Sequence, residues 1–203
     1  MEPRSGPGDG ELMSESFSIE ISSEDIARIK HDFKLMNDEV PVGLSRAINR
    51  TLTAVNGEAS VQVRKIYNLK ATRIKKNFFY RKATKNNLHA HWKSKGEPVG
   101  LIRFGARQNR KGVSVKVETT DARTTIDHTF IRIGQNGSEH VFWREKRGGK
   151  MVPRYDIFRL EGPRIEDALS KPKVQKALQK KADETLQKRL DAEANYILSK
   201  AGS

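Results

Sequence analysis

The apolar period of this chain changes twice along its length, and that limits the folds open to it. Leu44, Ala47, Ile48, Leu52, Val55, Ala59, Val63 and Ile66 recur at spacings of three and four, the mark of a helix with one buried stripe. From Leu88 the period becomes two: Leu88, Ala90 and Trp92 alternate with Asn87, His89, His91 and Lys93, as in a strand with one buried face. From Val174 the helical spacing returns through Leu178, Ala182, Leu186, Leu190, Ala194 and Ile197. Helices first, strands in the middle and a helix last predict an α+β fold. N-terminal helices and a long C-terminal helix would pack on a central, mostly antiparallel sheet of about four to five strands.

Local signals refine this outline. Pro41 suits a first helical turn, where its missing N–H costs nothing, and the long helix is expected to run to about Tyr67 with Arg46, Arg50, Arg64 and Lys65 on its outer face. Gly57 within it would mark a bend or a close packing contact. Upstream, Phe17, Ile19 and Ile21 alternate with Ser and Glu as a short strand would. Ser22 or Ser23 then caps a helix carrying Ile26, Ile29, Phe33 and Met36 on one face. A short basic helix is expected over 71–78, with Ile74 and Phe78 inward. Strands are expected over 99–107, 112–119, 129–133 and 140–144. A turn near 165–169 leads into the C-terminal helix over 172–200. Residues 1–16, rich in Gly, Pro, Ser and acid, are too apolar-poor to order alone and are expected as a flexible leader to a single domain over 17–203.

The chain has 203 residues and no cysteine. Disulfides, thiolate chemistry and Cys–zinc sites are thereby excluded, and assembly in a reducing cytoplasm fits. There is no apolar run long enough to span a membrane, and the N-terminus has neither the basic start nor the apolar stretch of a signal peptide. Lys and Arg number 39 against 25 Asp and Glu, a formal charge of +14. The charge is uneven. Residues 1–22 hold five acids and a single base, Arg4, whereas no acid at all occurs between Glu58 and Glu97. A field of that sign attracts polyanions.

Chemistry-bearing constellations are missing. His89 and His91 share a strand face but lack a third ligand for zinc. Asp121, Asp127 and His128 supply too few carboxylates for a magnesium-dependent nuclease. No serine elbow, phosphate loop or dinucleotide fingerprint occurs, so no catalytic residue, metal or cofactor is expected. The candidate contacts are basic. LIRFGARQNRKGVSVKV, residues 101–117, reads as strand, Gly-containing turn and strand, and offers Arg103, Arg107, Arg110 and Lys111. WREKRGGK, residues 143–150, offers Arg144, Lys146, Arg147 and Lys150 from a second Gly-tipped loop. The two loops are expected to lie near each other and to meet DNA or an acidic neighbour. Tyr67, Phe78, Phe79, Tyr80 and Trp92 are interleaved with bases, as on a surface that stacks single strands, but Phe78 and Trp92 read better as packing under the sheet. Any DNA contact would be to phosphates, sequence-blind and salt-sensitive.

Four blocks in order, VGLSRAINRTLTAVNGEASVQVRKIYNLKATRIKK (42–76), GLIRFGARQNRKGVSVKV (100–117), HVFWREKRGGK (140–150) and LEGPRIEDAL (160–169), resemble the phage and prophage minor tail protein Z family. The resemblance covers about residues 40–200. It implies a non-enzymatic virion protein of a long-tailed phage, assembled in the host cytoplasm, that completes the head-proximal end of the tail and helps join it to the head. It also implies a homo-oligomeric ring, hexameric by the symmetry of tails, around the DNA channel. The partners implied are the tail tube or tail terminator protein, the head–tail connector proteins and phage DNA bound without sequence preference; no membrane is involved. The rival reading is a free, sequence-nonspecific nucleic-acid-binding protein.

Overall fold

The computed structural model describes residues 16–19, 39–135, 137–144, 146–147, 150–151 and 157–201, with backbone alone at 16–19, 146–147, 150–151 and 201. Of the leader expected over residues 1–16, residues 1–15 lie outside the described residues and Ser16 begins a strand; the helix expected to carry Ile26, Ile29, Phe33 and Met36 also lies outside them.

Two long helices form the spine. Helix α1, Glu39–Ile66, begins on an acidic residue, has Pro41 in its first turn and ends with Arg64 and Lys65, so its terminal charges oppose the helix dipole. Its 28 residues extend about 42 Å at 1.5 Å each. Helix α4, Pro172–Ala201, runs antiparallel to it: Lys200 pairs with Glu39, and Arg46 Nε lies 3.7 Å from Glu193 Oε2. The helices pack closely at Gly43, where a Cβ would stand 3.2 Å from the side-chain Cδ1 of Ile197. The close contact expected at Gly57 is therefore found at Gly43, and a Cβ at Gly57 would meet nothing within 4 Å.

The stripe of α1 is buried as its spacing requires, from Val40 and Leu44 through Ile48, Leu52, Val55 and Ala59 to Val63. Of the α4 stripe, Val174, Leu178, Ala182 and Ile197 are buried, while Leu186, Leu190 and Ala194 are half-buried. Near the end of the helix pair an apolar groove of about 260 Å³ opens between Val40, Leu44, Leu190, Ala194 and Ile197.

Between the two helices most of the described chain is extended, and every strand pairing among the described residues is antiparallel. After β1 (Ser16–Ile19) and α1, a one-turn helix α2 (Ala71–Lys75) precedes β2 (Phe78–Arg81) and β3 (Ala90–Ser94), and β3 pairs with both β1 and β2. Then come β4 (Pro98–Gly100) and a 3₁₀ turn over Leu101–Phe104. Next β5 (Arg107–Gln108), β6 (Gly112–Val115) and β7 (Thr124–Asp127) form a second sheet with β6 central. Strand β8 (Thr129–Ile133) pairs with β9 (Glu139–Arg144); β10 (Lys146–Arg147) pairs with β11 (Lys150–Met151). Strand β12 (Ile157–Arg159) covers the other edge of β9, and β13 (Glu161–Arg164) returns to β4 before helix α3 (Ile165–Leu169). The fold is α+β, and among the described residues the strands are spread over five small sheets rather than gathered in a single central one.

Three local expectations shift. The short basic helix stops at Lys75, and Phe78 opens β2 instead, because its ring packs against Trp92 at 4.8 Å between centroids beneath the sheet. The strand expected over 99–107 is interrupted: Leu101 and Phe104, three apart, both reach the core, which a 3₁₀ turn allows because positions i and i+3 eclipse. Gly105, at φ 65°, reverses the chain after it. The strand expected over 112–119 ends at Val115, and the backbone beyond it ties to the end of α1, with Asn68 N–H donating to Val117 O at 2.8 Å and Thr119 N–H to Ile66 O at 2.9 Å.

Candidate anion-binding surface

The basic residues fall into two groups. The first grows from α2 and the 3₁₀ turn. Burial of Ile74, Leu101 and Phe104 points the opposite sides of both elements outward. Lys70, Thr72, Arg73 and Lys76 from one, with Arg103 and Gly105 from the other, line a cavity of about 400 Å³. Arg73 is half-buried, and its Nη1 donates to Asn77 Oδ1. Asn77 is itself 2% exposed and is fixed by the Lys95 N–H, which donates to its carbonyl at 2.8 Å. Burial, followed by the like charge of Arg103, lowers the Arg73 pKa from its ordinary value, and Glu97 opposes the shift. Glu97 is engaged with Lys95 Nζ at 3.8 Å.

The second group is the hairpin between β5 and β6. Asn109 holds its turn: Oδ1 accepts from the N–H groups of Lys111 (3.0 Å) and Gly112 (2.9 Å), and Nδ2 donates to Thr125 Oγ1 at 3.1 Å. Arg107, Arg110 and Lys111 stand exposed on this braced turn. Gly112 is required there, since a Cβ would lie 2.0 Å from Ile126 O. His128 then bridges toward the second basic loop. Its N–H donates to Lys111 O at 3.2 Å, and its carbonyl accepts from Arg144 N–H at 3.4 Å. Asp127, opposite Gly112 in the β6–β7 register, is the acid of this corner.

The structure thus joins the backbones of the two nominated loops at Lys111 and Arg144, and separates Arg103, which faces the α2 cavity. The Arg144 guanidinium lies 5.4 Å from the Phe130 ring centroid, folded over its own sheet. Lys146, Arg147 and Lys150 sit in the β10–β11 hairpin with Arg147 opposite Lys150; their side chains are outside the described residues. Lys70, Arg73 and Lys76 are the members that sequence reasoning missed. They stood in plain view in the acid-free run, but nothing local tied them to Arg103.

Aromatic residues divide as packing demands. Phe78, Trp92 and Tyr67 are buried, whereas Phe79 and Tyr80 are exposed and Lys95 Nζ sits 5.0 Å from the Phe79 ring centroid. His89, His91, Asp121 and Asp127 are all exposed. Among the described residues no three His, Asp or Glu side chains cluster as metal ligands would, and no helix is long and apolar enough to cross a membrane.

The described residues thus form an α+β scaffold that presents exposed arginines on a braced turn. The comparison with known proteins gives it a family: the chain belongs to the prophage minor tail protein Z family, which matches residues 28–201. It is accordingly a structural protein of a phage tail and a component of the virion. No curated protein and no solved structure matches it significantly.

Proposed function

We propose that this chain completes the head-proximal end of the tail as a homo-oligomeric ring, hexameric like the tail beneath it, and helps join tail to head around the DNA path. Its work is scaffolding rather than turnover. The observation that carries the reading is the corner in which Asn109 braces the Arg110–Lys111 turn and His128 links that turn to Arg144. Copies of such a corner repeated around an axis would surround a channel with fixed positive charge and neutralise phosphates without reading bases. The start of α1, away from the end to which the β6 segment is tied, suits contact with a second copy or with the tail tube, terminator or connector proteins. The apolar groove at Val40 and Ile197 lies there, with Tyr196 and Leu198 about half exposed on the last turns of α4. Contiguous apolar surface of this kind marks protein interfaces.

Mass spectrometry and imaging of purified virions test the reading. The polypeptide should be present in a small multiple of six copies at the head-proximal end of the tail. Its absence from mature particles would end the proposal. If the hairpin meets DNA, Arg107→Glu with Arg110→Glu should lower plaque titre while leaving thermal unfolding of the chain unchanged, because both side chains are exposed.

A further inference from the structure

We propose that the cavity between α2 and the 3₁₀ turn is a binding site for a phosphate group, gripped by Arg73 and Arg103 with Lys70 and Lys76 alongside. The site is separate from the hairpin and does not rest on the ring reading.

Four cations from two segments far apart in sequence line this cavity, and no carboxylate lines it. Two guanidiniums that line one cavity favour an anion between them, and burial, followed by the like charge of Arg103, already disfavours the charged form of Arg73. Arg73 is also pre-set. Its hydrogen bond to the buried Asn77 fixes one end of the fork, so little side-chain entropy is lost when the remaining N–H groups find an acceptor. Guanidinium forks match phosphate oxygens bidentately, while ammonium groups act as point charges beside them. Donors that line the cavity from two segments can reach more than one oxygen of a tetrahedral oxyanion, with the Thr72 hydroxyl beside them. Glu97, the acid that Arg73 feels, is paired with Lys95 and stands outside the lining.

The experiment is a titration of the full chain with inorganic phosphate, followed by amide resonances. Thr72 and Gly105 should shift and saturate, while Asn109 and Thr125 stay still. Arg103→Gln removes a charge-assisted hydrogen bond from an exposed position and should weaken binding about tenfold or more. Lys180→Gln with Lys181→Gln, exposed on α4 and outside both basic groups, should leave it unchanged. Shifts scattered over the whole basic surface, or an unchanged curve for Arg103→Gln, would overturn the proposal. A second arm identifies the carrier of the group. If the phosphate belongs to a nucleic-acid backbone, Arg103→Gln with Lys76→Gln should reduce the salt slope of duplex DNA binding by about 0.9, one phosphate's worth. An unchanged slope with lost phosphate binding assigns the site to a free phosphate or a small phosphorylated ligand.

Discussion

Asn49 and Ala83 are locked by a two-way hydrogen bond: the Asn49 Nδ2 donates to the Ala83 carbonyl, and the Ala83 N–H donates to Asn49 Oδ1, both at 2.9 Å. The amide imitates one rung of a sheet, so the long helix holds the chain just beyond β2 as a neighbouring strand would. Two turns further along α1, Asn56 Oδ1 accepts from Trp92 Nε1 at 3.2 Å and repeats the device on β3. Ala83 is 5% exposed, so water cannot replace a lost partner. Asn49→Ala should lower the unfolding free energy by about 1–3 kcal/mol. Asn49→Asp should recover only part of that, since its carboxylate would face the Ala83 carbonyl. Urea denaturation checks both. An unaltered midpoint for Asn49→Ala would show that the clasp contributes nothing.

Phe104 packs directly against Gly162. Phe104 is fully buried and meets Tyr67 edge-on, with centroids 6.3 Å apart. A Cβ at position 162 would stand 2.6 Å from Phe104 Cε2 and 3.2 Å from the Val99 carbonyl oxygen. Phe104→Ala should lose about 3–5 kcal/mol through transfer and cavity terms. Gly162→Ala should lose about 1–3 kcal/mol by overpacking. Because one contact underlies both, the double variant should lose less than the sum. Strict additivity in a denaturation cycle would refute the shared contact.

The two long helices were legible in the sequence because each is buried on one side only, and one-sided burial writes itself at spacings of three and four. The 3₁₀ turn was not. Leu101, Ile102 and Phe104 are as apolar as a strand, and only the three-residue interval between the two fully inward positions distinguishes them. The division into five sheets was equally hidden, since pairing partners such as β4 and β13 are set by where the chain returns and not by any local pattern. The family emerged from short blocks in the right order. The α2 cavity depends on Lys70, Arg73 and Lys76 meeting Arg103 across some thirty positions, a proximity that charge counting cannot supply.

His128 has φ 60°, the left-handed region that costs an ordinary L-residue about 1–2 kcal/mol. Its backbone links the Lys111 and Arg144 loops, so this conformation sets the spacing between the two basic turns. His128→Ile adds β-branching where it is least tolerated and should destabilise the chain by about 1–3 kcal/mol. His128→Gly should be tolerated and keep both hydrogen bonds. Amide exchange at His128 and Arg144 reports on them directly. Equal behaviour of the two variants would show that the left-handed turn is not enforced.

Tyr67 makes the stability of the chain sensitive to alkaline pH. Burial, reinforced by the carboxylates of Asp167 and Glu118, raises the Tyr67 pKa above its ordinary 10.0. The native state therefore favours the neutral phenol. Below pH 10.0 the side chain is protonated in both states, and its contribution to stability is complete. As pH climbs beyond that value the unfolded chain ionises first, and the contribution is lost progressively until the native phenol also titrates. Tyr67→Phe removes the group while keeping the ring that Phe104 packs against. Lysines and the other tyrosines titrate in the same range but are common to both proteins, so the difference between them isolates Tyr67. Urea midpoints measured from neutral pH to above pH 10 should fall more steeply for the natural chain than for Tyr67→Phe. Parallel curves would mean that Tyr67 ionises as readily in the fold as outside it.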